Sequence, residues 1–378
     1  MNPGSAVLLS WRLLWHNPAR LATSLGALAF AVFLMLIQMG FRNSLLDSVT
    51  ALLESLDADI LVMHKEKDNS IQRETIPLLR VQQTLSVEGV AAAYPLWFRF
   101  LYWKNLENGA FRPIRVLGFR PDDPMFLPPD IRAGAKLLGQ PGTALLDSRS
   151  RSYLGRIGVG PAQVQKEGLS VVGTFAMATD LEVDGNLLVS DETFARITHQ
   201  SMNGIELIAV KLKPGAEPQR VIEGLRAGLP GDAAVRTKDE VRAMDFEHWD
   251  TGTPVSLIVF IGMAMGFVVG VVICYQILYT EVADHLAEFA TLRAIGFGKA
   301  YIIGVVLVEA VLLSVVGLIP SLAAGWVLYR VLEASTGLLL NLTLPRMALV
   351  AGLTVSMCVF AGILALRKVL QADPAELF

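Results

Sequence analysis

Little in this sequence is suited to holding a metal or closing a covalent bridge. Its 378 residues include two cysteines, Cys274 and Cys358, both inside apolar runs. The five histidines (His16, His64, His199, His248 and His285) never fall three to five residues apart. Neither a disulfide framework nor a metal site is therefore expected. Charge is scarce as well, and a formal net charge of −3 gives no reason to expect nucleic acid as a partner. Signatures of bond chemistry are missing. "GFGKA" contains a Gly-Lys pair, but a phosphate cradle needs G-x-x-x-x-G-K-[ST]. Arg293 stands where the first glycine should be, and Ala300 replaces the hydroxyl that would hold magnesium. "GRIGVG" (Gly155 to Gly160) fits no dinucleotide fingerprint, and neither a G-x-S-x-G elbow nor an H-E-x-x-H pair occurs. The chain is not expected to hydrolyse ATP, and no catalytic residue or cofactor of its own is assigned.

Apolar residues are what it has in excess: 53% of the chain, with a mean hydropathy of +0.49. That excess points to the bilayer as a solvent. Leu21 to Phe41 is uncharged over 21 residues, about 31 Å of helix, and reads as an uncleaved anchor rather than a signal peptide. Thr251 to Thr280 and Met347 to Leu366 are also uncharged, and Ala300 to Tyr329 carries one charge, Glu309. The expected fold class is an integral membrane α-helical protein with four transmembrane helices and a large α+β domain inserted between helices 1 and 2. The segments are expected at 1–20 (N-terminal interfacial helix), 21–41 (span 1), 42–57 (first stalk helix), 58–245 (outer domain), 246–253 (end of the second stalk) and 254–280 (span 2). A polar hairpin at 281–299 follows, then 300–329 (span 3), 330–346 (short loop), 347–366 (span 4) and 367–378 (tail). Arg12, Arg20, Arg293, Lys299, Arg367 and Lys368 flank one side, against Arg330 and Arg346 on the other, so tails and hairpin are expected in the cytoplasm.

Leu45, Val49, Leu52 and Leu56 recur at helical spacing after the first span, which predicts a stalk continuing outward. Strand signals follow at "DILVMH", "YPLWFRFLYWK", "FRPIRVLGF", "LSVVGTFAM", "GNLLVS", "IELIAVKL" and "AAVRTK". "EPQRVIEGLRAGL" reads as a helix, and "KDEVRAMDFEHWDTG" as a second stalk leading back to the membrane. Residues 122–165, rich in Pro and Gly, are expected to be an insertion that divides the outer domain into two lobes.

The hairpin "EVADHLAEFATLRAIGFGKA" is patterned. Val282, Leu286, Phe289, Leu292 and Ile295 form one apolar face, and Gly296 fits a helix C-terminal cap. A helix this short needs a surface to cover that face, either lipid headgroups or a groove on a partner. In span 2, Gly262, Gly266 and Gly270 make a flat strip for close helix packing, at a homodimer seam or against another span of the same chain. Glu309 is the ionisable residue well inside a span. It is read mainly as a hydrogen-bond acceptor between helices, with Gln38 and Gln276 as candidate donors, and secondarily as a proton carrier.

"EFATLRAIGFGKAYIIGVVLVEAVLLSVVG" resembles the cytoplasmic hairpin and third span of FtsX-like ABC permeases of the MacB/LolC type (type VII). The pattern is Glu288, then Leu292-Arg293-Ala294-Ile295-Gly296, then Glu309 and Gly317, with a closing Asp373-Pro374 in "ADPAELF". The start, "LAFAVFLMLIQMGFRNSLLDS", is similar to the DevC-type branch. The resemblance implies that the hairpin docks on a separate ABC ATPase dimer, which binds the ATP and magnesium. Phe289 and Leu292 would be buried anchors, Glu288 and Arg293 a rim pair, and Gly296 the cap of that coupling helix. It further implies a permease homodimer in the bacterial inner membrane. Motion passed to the periplasmic domain would drive an amphipathic or lipidic substrate into a periplasmic adaptor and an outer-membrane, TolC-like channel. Two other roles carry the same resemblance: a signalling subunit that transports nothing, and a lipoprotein-release permease that takes membrane lipid from the outer leaflet.

Overall fold

The computed structural model describes residues 18–179, 182–286, 288, 291, 295–336, 340 and 342–371. Helix α1 (Pro18–Ser55) leads into β1 (Ile60–His64), β2 (Ile76–Pro77), α2 (Leu79–Leu85), β3 (Val90–Lys104) and β4 (Phe111–Phe119). Next come α3 (Pro129–Ala135), β5 (Thr143–Asp147), β6 (Gly160–Val164), β7 (Glu167–Phe175), β8 (Asn186–Ser190) and α4 (Asp191–Thr198). The chain continues through β9 (Gly204–Ile205), β10 (Leu207–Leu212), α5 (Pro218–Gly228), β11 (Ala233–Thr237) and α6 (Lys238–Asp250). It then forms helices α7 (Pro254–Asp284), α8 (Lys299–Thr336) and α9 (Leu344–Gln371). Length and hydropathy qualify Leu21–Ser55, Ser256–Asp284, Lys299–Glu333 and Leu344–Arg367 to cross a membrane. The expected class is therefore present: four apolar helices, with a domain of mixed α and β structure between the first two.

Two compact units divide the described residues, a helical one (18–42, 257–331, 340 and 342–371) and a mixed one (43–256 and 332–336). In the mixed unit nine strands form one sheet in the order β11-β1-β10-β3-β4-β8-β5-β7-β6. The 15-residue β3 joins its two halves. Val90 to Leu96 pairs antiparallel with β10, and Trp97 to Lys104 pairs antiparallel with β4. Within the second half, β4 runs parallel to β8 and β5 parallel to β7. Residues 122–165 supply α3, β5 and β6, the last two as members of this same sheet.

Both faces of the sheet are covered. In β1, Ile60 and Val62 enter one apolar cluster while Leu61 and Met63 enter the other, as the two-residue period of a strand requires. The first cluster is closed by Val81 of α2, Phe194 and Ile197 of α4, and Val221, Ile222 and Leu225 of α5. The second is closed by Leu52, Leu53 and Leu56 from the end of α1, Val241 of α6, and Ile131 and Ala135 of α3. Two-sided burial explains why "NLLVS" and "TALLD" are buried along their whole length instead of alternating.

The helical unit has its own core. Leu28, Val32, Met35, Leu36 and Met39 of α1 pack with Cys274 and Leu278 of α7, Ala310 and Leu313 of α8, and Met357, Ala361 and Ala365 of α9. Small residues bring the backbones together, as expected where lipid gives helices no hydrophobic reason to associate. A Cβ on Gly325 would lie 2.7 Å from a Leu36 methyl, and one on Gly317 would overlap Leu28. Near one end of the bundle Tyr329 covers Gly40 and donates its hydroxyl to the Leu36 carbonyl, which satisfies a phenol that hydrocarbon would otherwise strand.

Candidate transmission site

The hairpin between α7 and α8 is the first place to look. Of its predicted site residues, Phe289, Leu292 and Arg293 lie outside the described residues. Glu288 is exposed, and its carboxylate lies 3.2 Å from His285 Nδ1, one helical turn back. The Ile295 amide donates to the Thr291 carbonyl at 3.0 Å, an i→i−4 bond. Gly296 follows with φ +108°, a backbone state in which a side chain is strained, and nothing lies within 4 Å of where its Cβ would be. Ile295 on one side is exposed, and so is Phe297 on the other. The Phe297 ring rests against Tyr301, with centroids 4.7 Å apart. The hairpin thus displays Ile295 and Phe297 on either side of a glycine turn. Sequence reasoning passed over Phe297. Its signal was an aromatic residue held between Gly296 and Gly298, where no packing partner from a helix period is available.

The glycines of α7 face inward. The space over Gly262 is filled by the Gln38 side chain, 2.6 Å from an added Cβ. Over Gly266 lies Met35, with Cγ at 3.2 Å, and over Gly270 lies the Met357 sulfur. All three fillers belong to the same chain. Glu309, in α8, is 1% exposed. Of the donors expected for it, Gln38 packs its side chain against Gly262, and Gln276 is exposed on α7.

In the mixed unit both stalk helices are fastened to the sheet and to each other. Arg242 of α6 pairs with Glu54 of α1. Lys238, at the start of α6, donates to the Leu56 carbonyl at 2.7 Å, one of the orphan acceptors at the end of α1. Burial pushes the Lys238 amine below its ordinary pKa. Lys211 of β10 reaches Asp57 at 2.6 Å, and that hydrogen bond holds its amine above the usual value. The start of α6 is fixed by a reciprocal cap: Thr237 accepts from the Glu240 amide while Glu240 accepts from the Thr237 amide.

The aromatic run of β3 divides by burial. Leu96, Trp97, Phe98 and Trp103 are core, whereas Tyr102 is exposed and Phe100 half-buried. A surface groove of about 610 Å³ runs along Phe100 and Tyr102, with Asn69, Arg73, Pro113 and Glu182 on its other walls. The Arg73 guanidinium lies over the Phe100 ring, 5.6 Å from its centroid. Among the described residues no group of three or more His, Cys, Asp or Glu is placed to hold a metal ion.

A model of the MacB-like periplasmic core domain matches residues 21–227, and a model of the FtsX-like permease C-terminal region matches residues 257–374. Among solved structures, the periplasmic region of MacB from Actinobacillus actinomycetemcomitans aligns at 9% identity and TM-score 0.37, covering 50% of this chain and 92% of that one. The extracellular domain of the noncanonic ABC-type transporter YknZ from Gram-positive bacteria aligns at 10% identity and TM-score 0.32, covering 47% and 98%. A domain of a putative permease protein from Porphyromonas gingivalis aligns at 12% identity and TM-score 0.30, covering 48% and 86%. No curated protein matches the chain.

Proposed function

The chain belongs to the FtsX-like permeases with a MacB-type periplasmic domain, membrane components of ABC transporters, and from that premise we propose that it is a mechanical linkage. A separate ATPase in the cytoplasm grips the hairpin, and the motion reaches the periplasmic domain through the stalks. There it drives an amphipathic or lipidic substrate through a periplasmic adaptor and an outer-membrane channel. In this reading the permease works as a homodimer in the inner membrane, with its termini and hairpin in the cytoplasm.

The observation that carries the proposal is α1 itself. One unbroken helix of 38 residues supplies Leu28 to Met39 to the bundle core and Leu52 to Leu56 to the core beneath the sheet. In this reading α1 carries displacement along its length from the bundle to the sheet domain. The exposed Ile295 and Phe297 add apolar surface for a partner groove beside the anchors proposed at Phe289 and Leu292, with Glu288 and Arg293 at its rim.

The test is recovery of the complex. Phe289→Ala and Arg293→Ala should each weaken co-purification of the cognate ATPase, by roughly 30-fold in affinity for an anchor worth about 2 kcal/mol. Unchanged recovery with both variants would remove the docking step. Mass spectrometry of lipid bound to the intact complex then tests the substrate class.

A further inference from the structure

A cluster of buried charge in the mixed unit serves none of the contacts described so far. Lys67, on the loop after β1, is 2% exposed, and Asp245, on α6, is 1% exposed. They meet through Ser70 rather than directly. The Asp245 carboxylate accepts the Ser70 amide at 2.6 Å and the Ser70 hydroxyl at 2.7 Å. The Lys67 amine donates to the Ser70 carbonyl at 3.5 Å and the Glu206 carbonyl at 2.9 Å, and it lies over the Phe98 ring. Other charges face the cluster from every element around it. Glu74, on the same loop, and Arg99, on β3, act on Lys67 with opposite signs, and His248, on α6, faces Asp245. The Glu206 carboxylate is already engaged by Arg99 and the Phe98 amide. Each ion is stripped of water and hydrogen-bonded to neutral groups, and although Lys67 and Asp245 favour each other's charged form, burial is the larger influence on both.

We propose that the Lys67–Ser70–Asp245 joint is a proton-governed clamp on the returning stalk helix. It is held shut when either group is neutral and poised to open when both are charged. Its role in transport rests on the mechanical reading above, but the opening is a property of the periplasmic domain itself.

The sign follows from burial. Desolvation raises the Asp245 carboxyl from 3.8 to about 6, so the shut joint keeps a proton that the opened joint releases. That contribution is complete below 3.8 and is lost as pH rises through about 6. Desolvation lowers the Lys67 amine from 10.5 to about 7, so the shut joint prefers the neutral amine. That contribution is complete above 10.5 and is lost as pH falls through about 7. The clamp is weakest between about 6 and 7, where both contributions are small.

Hydrogen–deuterium exchange of the full chain in detergent micelles reads this directly, with protection corrected for the intrinsic rate at each pH. Peptides covering 65–75 and 238–250 should be least protected at pH 6.5. Protection should rise about fivefold at pH 5 and about twentyfold at pH 8.5, while β5 and β8 stay unchanged. Lys67→Met should abolish the alkaline rise and keep the acid one, and the isosteric Asp245→Asn should do the reverse. Protection that is flat, greatest near pH 6.5, or shared equally by β5 and β8 would overturn the clamp, as would variants with the wild-type profile. The measurement needs no ATPase, so its failure would leave the mechanical reading standing, and lost docking at the hairpin would leave the clamp standing.

Discussion

Asp147 shows how much of the periplasmic domain depends on single buried polar residues. Its carboxylate is fully buried and accepts the Arg149, Met177 and Ala178 amides and the Asn186 side-chain amide, at 2.8 to 3.2 Å. Asn186 in turn donates to the Ala178 carbonyl at 2.6 Å and accepts from Arg115 Nε at 2.9 Å. Arg115, 1% exposed, stands on β4, Asp147 on β5 and Asn186 on β8, so the network ties three strands to the loop after β7. Removing one partner from such a network leaves donors and a cation buried without compensation, a larger loss than the net worth of the bonds. Asp147→Ala should cost about 3–5 kcal/mol, read from the denaturant midpoint of tryptophan fluorescence in the full chain. A loss below about 1 kcal/mol would mean that water replaces the carboxylate. None of this was legible in the sequence. In "TALLD" and "GNLLVS" the Asp and Asn occupy strand ends where a solvated polar residue is equally natural, and most of their partners are 30 or more residues away.

At the scale of elements, apolar run length and periodicity carried the reading. Long uncharged runs marked the four helices because hydrocarbon tolerates few alternatives. "IELIAVKL", "AAVRTK" and "EPQRVIEGLRAGL" correspond to β10, β11 and α5, and "KDEVRAMDFEHWD" to α6, whose capping box is visible as T-K-D-E. The short helices α2, α3 and α4 were passed over, because seven or eight residues hold only two or three core positions and give no period to count. Residue type alone also left the α7 glycines open between a seam within the chain and one between copies. With Met35 and Met357 filling the strip, Gly266→Leu is an overpacking change inside the bundle. It should lower the stability of the solubilised permease by about 1–3 kcal/mol without changing the dimer fraction. A variant of unaltered melting temperature that dissociates more readily would place the strip between copies instead.

For the whole molecule, the proposed orientation rests on the parity of the spans and the distribution of Lys and Arg together. Four helices return the chain to the side from which it started, and the periplasmic domain between the first two fixes what the far side is. The proposed orientation, with hairpin and both tails in the cytoplasm, rests on six flanking basic residues against two. The native thiols suit a labelling test, since Cys274 and Cys358 are both fully buried in the bundle and leave a quiet background. Glu107, in the β3–β4 turn, and Lys299, at the start of α8, are both exposed. A membrane-impermeant maleimide should label Glu107→Cys in intact spheroplasts and reach Lys299→Cys only after permeabilisation. Both charge bias and mechanism depend on the hairpin facing the compartment that holds ATP. Labelling of Lys299→Cys from outside would therefore reverse the orientation and sever the linkage from its energy source, whatever the hairpin binds.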